Sequence, residues 1–226
     1  MASYRQLLAV FALSVVQTAA LGQSANHVIG MPSFCVAGEP LSASETLDYE
    51  PTEGASDPVA AHREGTLYRD SEGRMRTELK YPGYTAFFIQ DCVTHVLYNW
   101  TVGDTEQDGV LRCGDMQHSG MGTVTDNTPA PLRPNEQVVP VEGVETHHSR
   151  SMREKDGKIE LIYEHWYAPS LHLNLLQVTY GGDLGKTTHR IFNLKMEEPD
   201  AALFQVPKGF RTKTPTCPSG TPASSR

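Results

Sequence analysis

The sequence lacks the motifs that identify most metal and hydrolase sites. It contains no CxxC pair, no HExxH motif and no GxSxG turn, on which zinc ribbons, zinc proteases and α/β-hydrolases respectively depend. Nine histidines are present, but the adjacent His147 and His148 point to opposite faces of a strand and cannot chelate one ion. We therefore predict no metal, no cofactor and no catalytic residue, and among the function classes left open an enzyme is the least favoured.

A basic surface is also missing from this chain. The formal net charge is −8 at pH 7, and positive and negative residues are mixed along the sequence. Because an acidic surface repels phosphate backbones, we expect no nucleic-acid partner.

Only one long apolar run occurs, and it lies at the beginning of the chain. Arg5 precedes an uninterrupted apolar stretch at 7–13, and small residues follow at Ala20 and Gly22. This order is typical of a secretory signal peptide, and the run is too short for a bilayer span of about 20 residues. We predict that residues 1–22 are a signal peptide cleaved after Gly22. The mature chain, without a transmembrane segment, is then periplasmic or secreted.

Four cysteines remain after the predicted cleavage. An even number in an exported chain favours disulfide bonds over metal thiolates. Three pairings are possible, and we favour Cys92 with Cys113 and Cys35 with Cys217. The alternative is that two or more of the four are free, buried thiols.

Beyond the signal segment no long stripe of helical periodicity occurs, and alternation with a period of two residues dominates. At 75–79 the side chains of Met75, Thr77 and Leu79 fall on one face and charged side chains on the other, which is typical of a half-buried strand. Turn residues at 70–73 join this strand to the preceding one, so we predict a hairpin over 59–80. Further strands are predicted at 84–90, 94–100, 108–113, 138–150, 158–167, 171–180 and 187–195, with a helical turn at 199–204.

These strands define the expected domain organisation. Residues 23–39 form a lead-in segment, residues 40–210 one antiparallel β domain, and residues 211–226 a disordered tail rich in Pro, Ser and Thr. Within the domain, the Gly- and Pro-rich segment 114–137 is predicted to be a long loop. Short turns between consecutive strands favour antiparallel pairing.

The strands at 158–167 and 171–180 carry apolar residues on both faces. A sheet that is exposed to water on one side shows polar residues on that face, so these strands indicate either an apolar cavity or a covered core. If the apolar residues line a groove, the candidate ligand-binding side chains are Tyr163, Trp166, Tyr167, Leu173 and Leu175. If they form a covered core, the same side chains are structural.

Four sequence blocks resemble those of a family of exported bacterial proteins of unknown function. They are YRDSEGR at 68–74, VEGV at 141–144, EHWYAPSL at 164–171 and EPDAALFQVP at 198–207, and their order and spacing match over residues 40–210. The strand order of that family resembles the periplasmic carrier of outer-membrane lipoproteins. The resemblance implies a mainly β fold, built as a single curved antiparallel sheet or half-barrel with little helix.

From these features we expect a non-enzymatic periplasmic module that binds an apolar ligand, a lipid or a lipidated chain, on a curved sheet. The alternative is an interaction or sensor domain that binds a protein of the cell envelope, for which the loop 114–137 would offer an exposed surface. The expected partner is therefore a lipid or an envelope protein.

Overall fold

The computed structural model describes residues 34–51, 61–103, 110–115, 122–124, 131–181 and 185–212. The predicted signal peptide at 1–22 and most of the predicted tail at 211–226 lie outside these ranges. In the part of the chain that is described, no helix has the length and apolar character needed to cross a membrane.

Strands make up nearly all the regular structure. In chain order they are β1 Phe34–Val36, β2 Leu41–Glu50, β3 Ala61–Arg69, β4 Met75–Tyr81, β5 Tyr84–Asp91, β6 Val96–Gly103, β7 Val110–Asp115, β8 Gly122–Val124, β9 Gln137–Val141, β10 Val144–Lys155, β11 Lys158–Ala168, β12 Leu173–Thr179, β13 Lys186–Lys195 and β14 Arg211–Thr212. A 3₁₀ turn at Ala201–Phe204 is the only helix among the described residues, and the Asp200 side chain caps it by accepting a hydrogen bond from the Ala202 N–H at 2.9 Å.

Eleven of these strands form one antiparallel sheet in the order β7-β6-β5-β4-β3-β2-β13-β12-β11-β10-β9. Strand β14 adds to it in parallel beside β7, while β1 and β8 form a separate parallel pair. The large sheet is curved and does not close, so β14 and β9 are its two edges. The prediction of a mainly β protein with a single curved antiparallel sheet and little helix is confirmed.

Strand β2 was missed by the sequence analysis, although it lies near the centre of the sheet. It pairs with β3 on one side and with β13 on the other. The odd-numbered residues from Leu41 to Leu47 are buried and the even-numbered ones are half-buried. Buried Glu45 interrupts the apolar alternation by which strands are recognised, and this explains the omission.

The predicted strand at 138–150 is a hairpin. Strands β9 and β10 are joined by Glu142 and Gly143, which have φ values of 52° and 76°. Two consecutive residues with positive φ are characteristic of the type I′ turn, which suits a two-residue hairpin loop. The predicted loop at 114–137 contains strand β8.

Both predicted cysteine pairings are wrong. Cys35 is bonded to Cys92, with the two Cα atoms 5.7 Å apart. Cys113 is also disulfide-bonded, and no free cysteine occurs among the described residues. Cys92 follows β5 and Cys113 lies in β7, so β6 separates them, whereas β1 brings Cys35 beside the end of β5. The remaining cysteine, Cys217, lies outside the described residues.

The largest apolar core lies at one end of the sheet. It is built from residues of β2, β3, β4, β11, β12 and β13 and from the turn between β11 and β12. Its members are Leu41, Ala43, Leu67, Met75, Ala168, Leu171, Leu173, Leu175 and Ile191. Beyond this core, the same face of the sheet carries buried polar side chains, including Glu45 and His189.

Candidate functional site

One face of the sheet carries the buried side chains of β2, β3 and β4, and we call it the inner face. Residues opposite one another on antiparallel strands share a face, so the register assigns residues of the other strands to it. Three cross-strand rows follow one another away from the core. The deep row is Ile191, Glu45, Gly65, Leu79 and Ala86; the middle row is Ser149, His165, Gln177, His189, Leu47 and Arg63; the rim row is Ser151, Tyr163, Thr179, Thr187, Tyr49 and Ala61.

A buried acid–imidazole pair joins the deep row to the middle row. The side chains of Glu45 and His189 are 2% and 1% exposed, and Glu45 Oε2 lies 2.9 Å from His189 Nε2. The other polar atoms of the two side chains, Glu45 Oε1 and His189 Nδ1, are buried without a hydrogen-bond partner. Buried polar atoms nearly always have partners, because leaving one unsatisfied costs about 1–3 kcal/mol.

Gly65 provides the space that the Glu45 carboxylate occupies. It lies directly opposite Glu45 on β3. A Cβ at this position would lie 2.8 Å from Glu45 Cγ and 2.5 Å from the carbonyl oxygen of Glu78. A glycine in the interior of a strand often marks such a close approach. The buried carboxylate therefore depends on the missing side chain of its neighbour.

Arg63, in the middle row of the face, lies beside aromatic side chains. Its guanidinium carbon is 5.0 Å from the centroid of the Tyr81 ring, which stacks on Tyr84 at 4.7 Å. Arg63 Nη1 donates a hydrogen bond to the His62 carbonyl oxygen at 3.0 Å, and Arg63 Nε is buried without a partner. Burial, assisted by Tyr49, raises the pKa of Tyr81 to about 12, so its hydroxyl stays protonated at neutral pH.

The five predicted ligand-binding residues do not lie together. Leu173 and Leu175 are 1% and 0% exposed and belong to the main core, which is the alternative that the sequence left open. Trp166 lies on the opposite face, where its ring stacks on His148 at 4.2 Å. The Tyr167 hydroxyl is 3.0 Å from Nδ1 of His172. Of the five, Tyr163 is the one that belongs to a row outside the core, the rim row.

A second buried carboxylate, Glu164, lies on the opposite face and is fully partnered. Its Oε2 accepts a hydrogen bond from the Tyr180 hydroxyl at 2.6 Å, and its Oε1 lies 2.8 Å from Arg150 Nε and 3.1 Å from His148 Nε2. The hydrogen bond from Tyr180 lowers the pKa of Glu164, and those from Arg150 and His148 act in the same direction. We assign this cluster a structural role, because its hydrogen-bonding capacity is used within the protein.

Ser149 and His165 are the nearest approach to a catalytic dyad among the described residues. Ser149 Oγ lies 3.0 Å from His165 Nε2, and burial lowers the pKa of His165. No carboxylate in the described part of the chain hydrogen-bonds to His165, and no group of three or more metal-ligating side chains occurs there. A serine triad also needs a group that orients the base, and this arrangement does not supply one.

An open depression of about 490 Å³ lies at the end of the main core. Apolar side chains and three polar residues line it: Val144, Leu171, Leu194, Met196, Glu142, Ser170 and Asn193. The unpartnered polar atoms of the inner face lie outside this depression. The inner face is therefore the better candidate site, because it combines apolar and aromatic side chains with polar groups that lack partners.

Comparisons with known proteins give matches among solved structures but none among sequences. No protein-family model matches the sequence, and no curated protein matches it, so the resemblance to a family of exported bacterial proteins stays a prediction. Among solved structures, the chain is similar to a "putative outer membrane lipoprotein-sorting protein domain" from Vibrio parahaemolyticus, with 7% identity and a TM-score of 0.24 over 71% of this chain and 86% of that one. A similarity with so low a TM-score does not identify a ligand of this protein.

Proposed function

We propose that the protein binds a lipid or a lipidated chain, with the apolar part of the ligand lying along the inner face of the sheet. One observation carries the proposal. On this face, apolar and aromatic side chains lie beside three of the four buried polar atoms that lack hydrogen-bond partners among the described residues, Glu45 Oε1, Arg63 Nε and His189 Nδ1; the fourth, Gln90 Oε1, lies elsewhere on the sheet. Ligand sites are typically apolar surfaces with a few polar groups that fix the orientation of the ligand.

The apolar component of the site comes from the deep and middle rows. Leu47, Leu79 and Ala86 are buried, and tyrosines follow towards the rim. Tyr49 and Tyr163 are half-buried, and burial raises the pKa of both hydroxyls. A half-buried tyrosine presents an apolar ring and a polar tip, which suits the boundary between an acyl chain and a polar head.

The disulfides support a location outside the cytoplasm. Cys35–Cys92 and the bond of Cys113 belong to compartments in which thiols are oxidised. Together with the predicted signal peptide at 1–22, they favour export to the periplasm or the medium, where the ligand would be a lipid or lipidated chain of the cell envelope.

The test is ligand binding by the exported full chain. We expect native mass spectrometry of protein purified from the periplasm to detect a co-purified lipid, and the apolar fluorophore N-phenyl-1-naphthylamine to bind. Tyr163→Ser should weaken fluorophore binding severalfold, because it removes an inner-face ring. Ile159→Ser on the same strand is the matched control, since Ile159 is 73% exposed. Absence of both lipid and fluorophore binding would contradict the proposal.

A specific observation also favours the envelope-protein alternative. Strand β10 pairs with β9 only as far as His148, and the hairpin that it forms with β11 projects beyond this point. Met152 and Ile159 on this hairpin are 52% and 73% exposed. An unpaired strand edge with exposed apolar side chains suits the addition of an extended segment from a partner protein.

The two candidate functions separate experimentally. For the envelope-protein function, Met152→Ser with Ile159→Ser should abolish site-specific crosslinking from residue 153 to a partner in intact cells, and Tyr163→Ser should leave it unchanged. Crosslinking that is equal in all variants would exclude the hairpin as the contact.

A further inference from the structure

Arg63 has more hydrogen-bonding capacity than the protein uses. A guanidinium carries five N–H donors, and one of them, on Nη1, donates to the His62 carbonyl oxygen at 3.0 Å. Nε is buried without a partner, and no carboxylate of the described residues forms an ion pair with Arg63. The side chain is half-buried, so its charge is partly removed from water, with the Tyr81 ring but no carboxylate beside it.

The nearest carboxylate of the deep row does not supply the missing counter-charge. Glu45 is held by His189 at 2.9 Å, and its side chain packs against Gly65. Glu45 is thus engaged by His189, and Arg63, in the middle row, has no carboxylate partner among the described residues.

The groups around Arg63 are hydrogen-bond donors. Tyr81 lies under the guanidinium, and Tyr49 is close enough for the charge of Arg63 to oppose the rise of its pKa by burial. Both tyrosines keep their protons at neutral pH. Neither hydroxyl has a hydrogen-bond partner among the described residues. Next to these donors lie the apolar side chains of Leu47 and Leu79.

We propose that Arg63, together with the hydroxyls of Tyr49 and Tyr81, binds the oxyanion head of a single-chain amphiphile whose acyl chain lies along the inner face. The head is a carboxylate or a phosphate, because both accept several hydrogen bonds from a planar guanidinium. The inference rests on the proposed binding of a lipid by the inner face. It adds which end of the ligand is recognised, and it predicts discrimination against uncharged lipids.

The experiment uses displacement of N-phenyl-1-naphthylamine from the full exported chain. Palmitate, dodecyl phosphate and methyl palmitate compete in separate titrations, so the carboxylate and phosphate heads are compared with an uncharged one. We expect the two anions to displace the fluorophore better than the ester. In Arg63→Gln, the affinity for the anions should fall about tenfold and that for the ester should be unchanged, because a hydrogen bond to a charged group is lost.

Two further variants sharpen the result. Arg63→Lys keeps the charge but not the planar fork, so anion affinity should fall between wild type and Arg63→Gln. Arg153→Gln is the control, since Arg153 is exposed and pairs only with Glu160 on the projecting hairpin. Thermal unfolding of each variant checks that it folds.

The outcomes separate this inference from the proposed function. If the fluorophore binds but anions and ester displace it equally, or Arg63→Gln leaves anion affinity unchanged, the role of Arg63 is overturned and lipid binding stands. If neither the fluorophore nor any acyl compound binds, the proposed function fails and the inference fails with it. If only one of the two anions discriminates, the head is identified as that oxyanion.

Discussion

Arg69 and Arg63 lie on the same face of strand β3, yet the protein treats them differently. Arg69 is fully buried, and its guanidinium donates to the carbonyl oxygens of Glu39 and Leu171, each at 2.7 Å, and to the Glu39 carboxylate at 3.3 Å. Arg63, six residues away, has one such contact within the protein. From this contrast we expect Arg69, whose hydrogen bonds the fold completes, to be structural, and half-buried Arg63 to be the one that contributes to the proposed binding.

Two of the buried carboxylates, Glu164 and Glu45, repeat the contrast. Glu164 accepts hydrogen bonds from Tyr180, Arg150 and His148, whereas Glu45 has one partner and a second oxygen with none. Arg63 and Glu45 are the incompletely partnered residues in the two comparisons. They lie in neighbouring rows of the inner face. Substitutions at the completed sites should therefore affect stability, and substitution at the incomplete site should affect binding.

The largest effect is expected for Arg69→Met. This change removes the cation but leaves the Glu39 carboxylate and two carbonyl oxygens without their donors at a buried position. Breaking a buried ion pair from one side costs about 3–5 kcal/mol, and urea unfolding should show a loss of this size. Arg153→Met, at an exposed pair, is the control and should change stability by less than about 1 kcal/mol. Equal effects of the two changes would remove the distinction between completed and surface cations.

A smaller loss is expected for Gly65→Ala. The added Cβ would lie 2.5 Å from a backbone carbonyl oxygen and 2.8 Å from Glu45 Cγ, so β3 and β4 must shift. Overpacking of this kind costs about 1–3 kcal/mol, measurable by urea unfolding. Thr66→Ala, the next residue on the strand and on the other face, should be nearly neutral. An unchanged stability in Gly65→Ala would mean that the close approach does not limit this site.

Glu164→Gln should produce a pH-dependent loss of about 1–2 kcal/mol at neutral pH, because hydrogen bonds to a charged acceptor are replaced by weaker ones. The pKa of Glu164 is lowered in the folded protein. Its stabilising contribution is therefore present above the pKa of an unfolded glutamate, about 4.3, and is lost as the pH falls through the lower folded value. Unfolding of wild type and variant from neutral pH downwards should show the two stabilities converging in acid. A difference that stays constant with pH would refute the role of the carboxylate charge.

The smallest effect on stability is expected for Arg63→Gln. The substitution removes a half-buried charge that has no carboxylate partner, one hydrogen bond and the contact with the Tyr81 ring, so the free energy of unfolding should change by less than about 1 kcal/mol. The measurement is the same urea titration that is used for Arg69→Met. A loss as large as that of Arg69 would show that Arg63 is structural and would break the comparison.

The sequence predicts the fold class and most strands of this protein, because their alternating side chains and turn residues are local signals. Strand β2 is not recognised in the sequence because its pattern contains Glu45. The burial of Glu45 depends on Gly65 on the neighbouring strand β3 and on His189 on the neighbouring strand β13. No local pattern contains that information. The turn at Glu142 and Gly143 was readable in principle, since glycine there permits the positive φ of a tight hairpin.

The candidate site could be predicted only in part. Tyr163 lies on the inner face, but bulges near Met152 and Trp166 shift the register of β11 and its neighbours, so simple alternation does not place the side chains correctly. Arg63 gives no signal in the sequence, because an arginine on an alternating strand normally faces water. Its significance depends on the absence of a partner, which only the tertiary structure reveals.

The central position of β2 has a consequence for the order of events when the chain folds. Its first neighbour, β3, follows closely in the sequence, but its second neighbour is β13, near the other end of the chain. Such non-local pairings are slow to form, because a long loop must close before any contact rewards it. The middle of the sheet thus becomes complete only when nearly the whole chain is available, and until then β2 presents an unpaired edge.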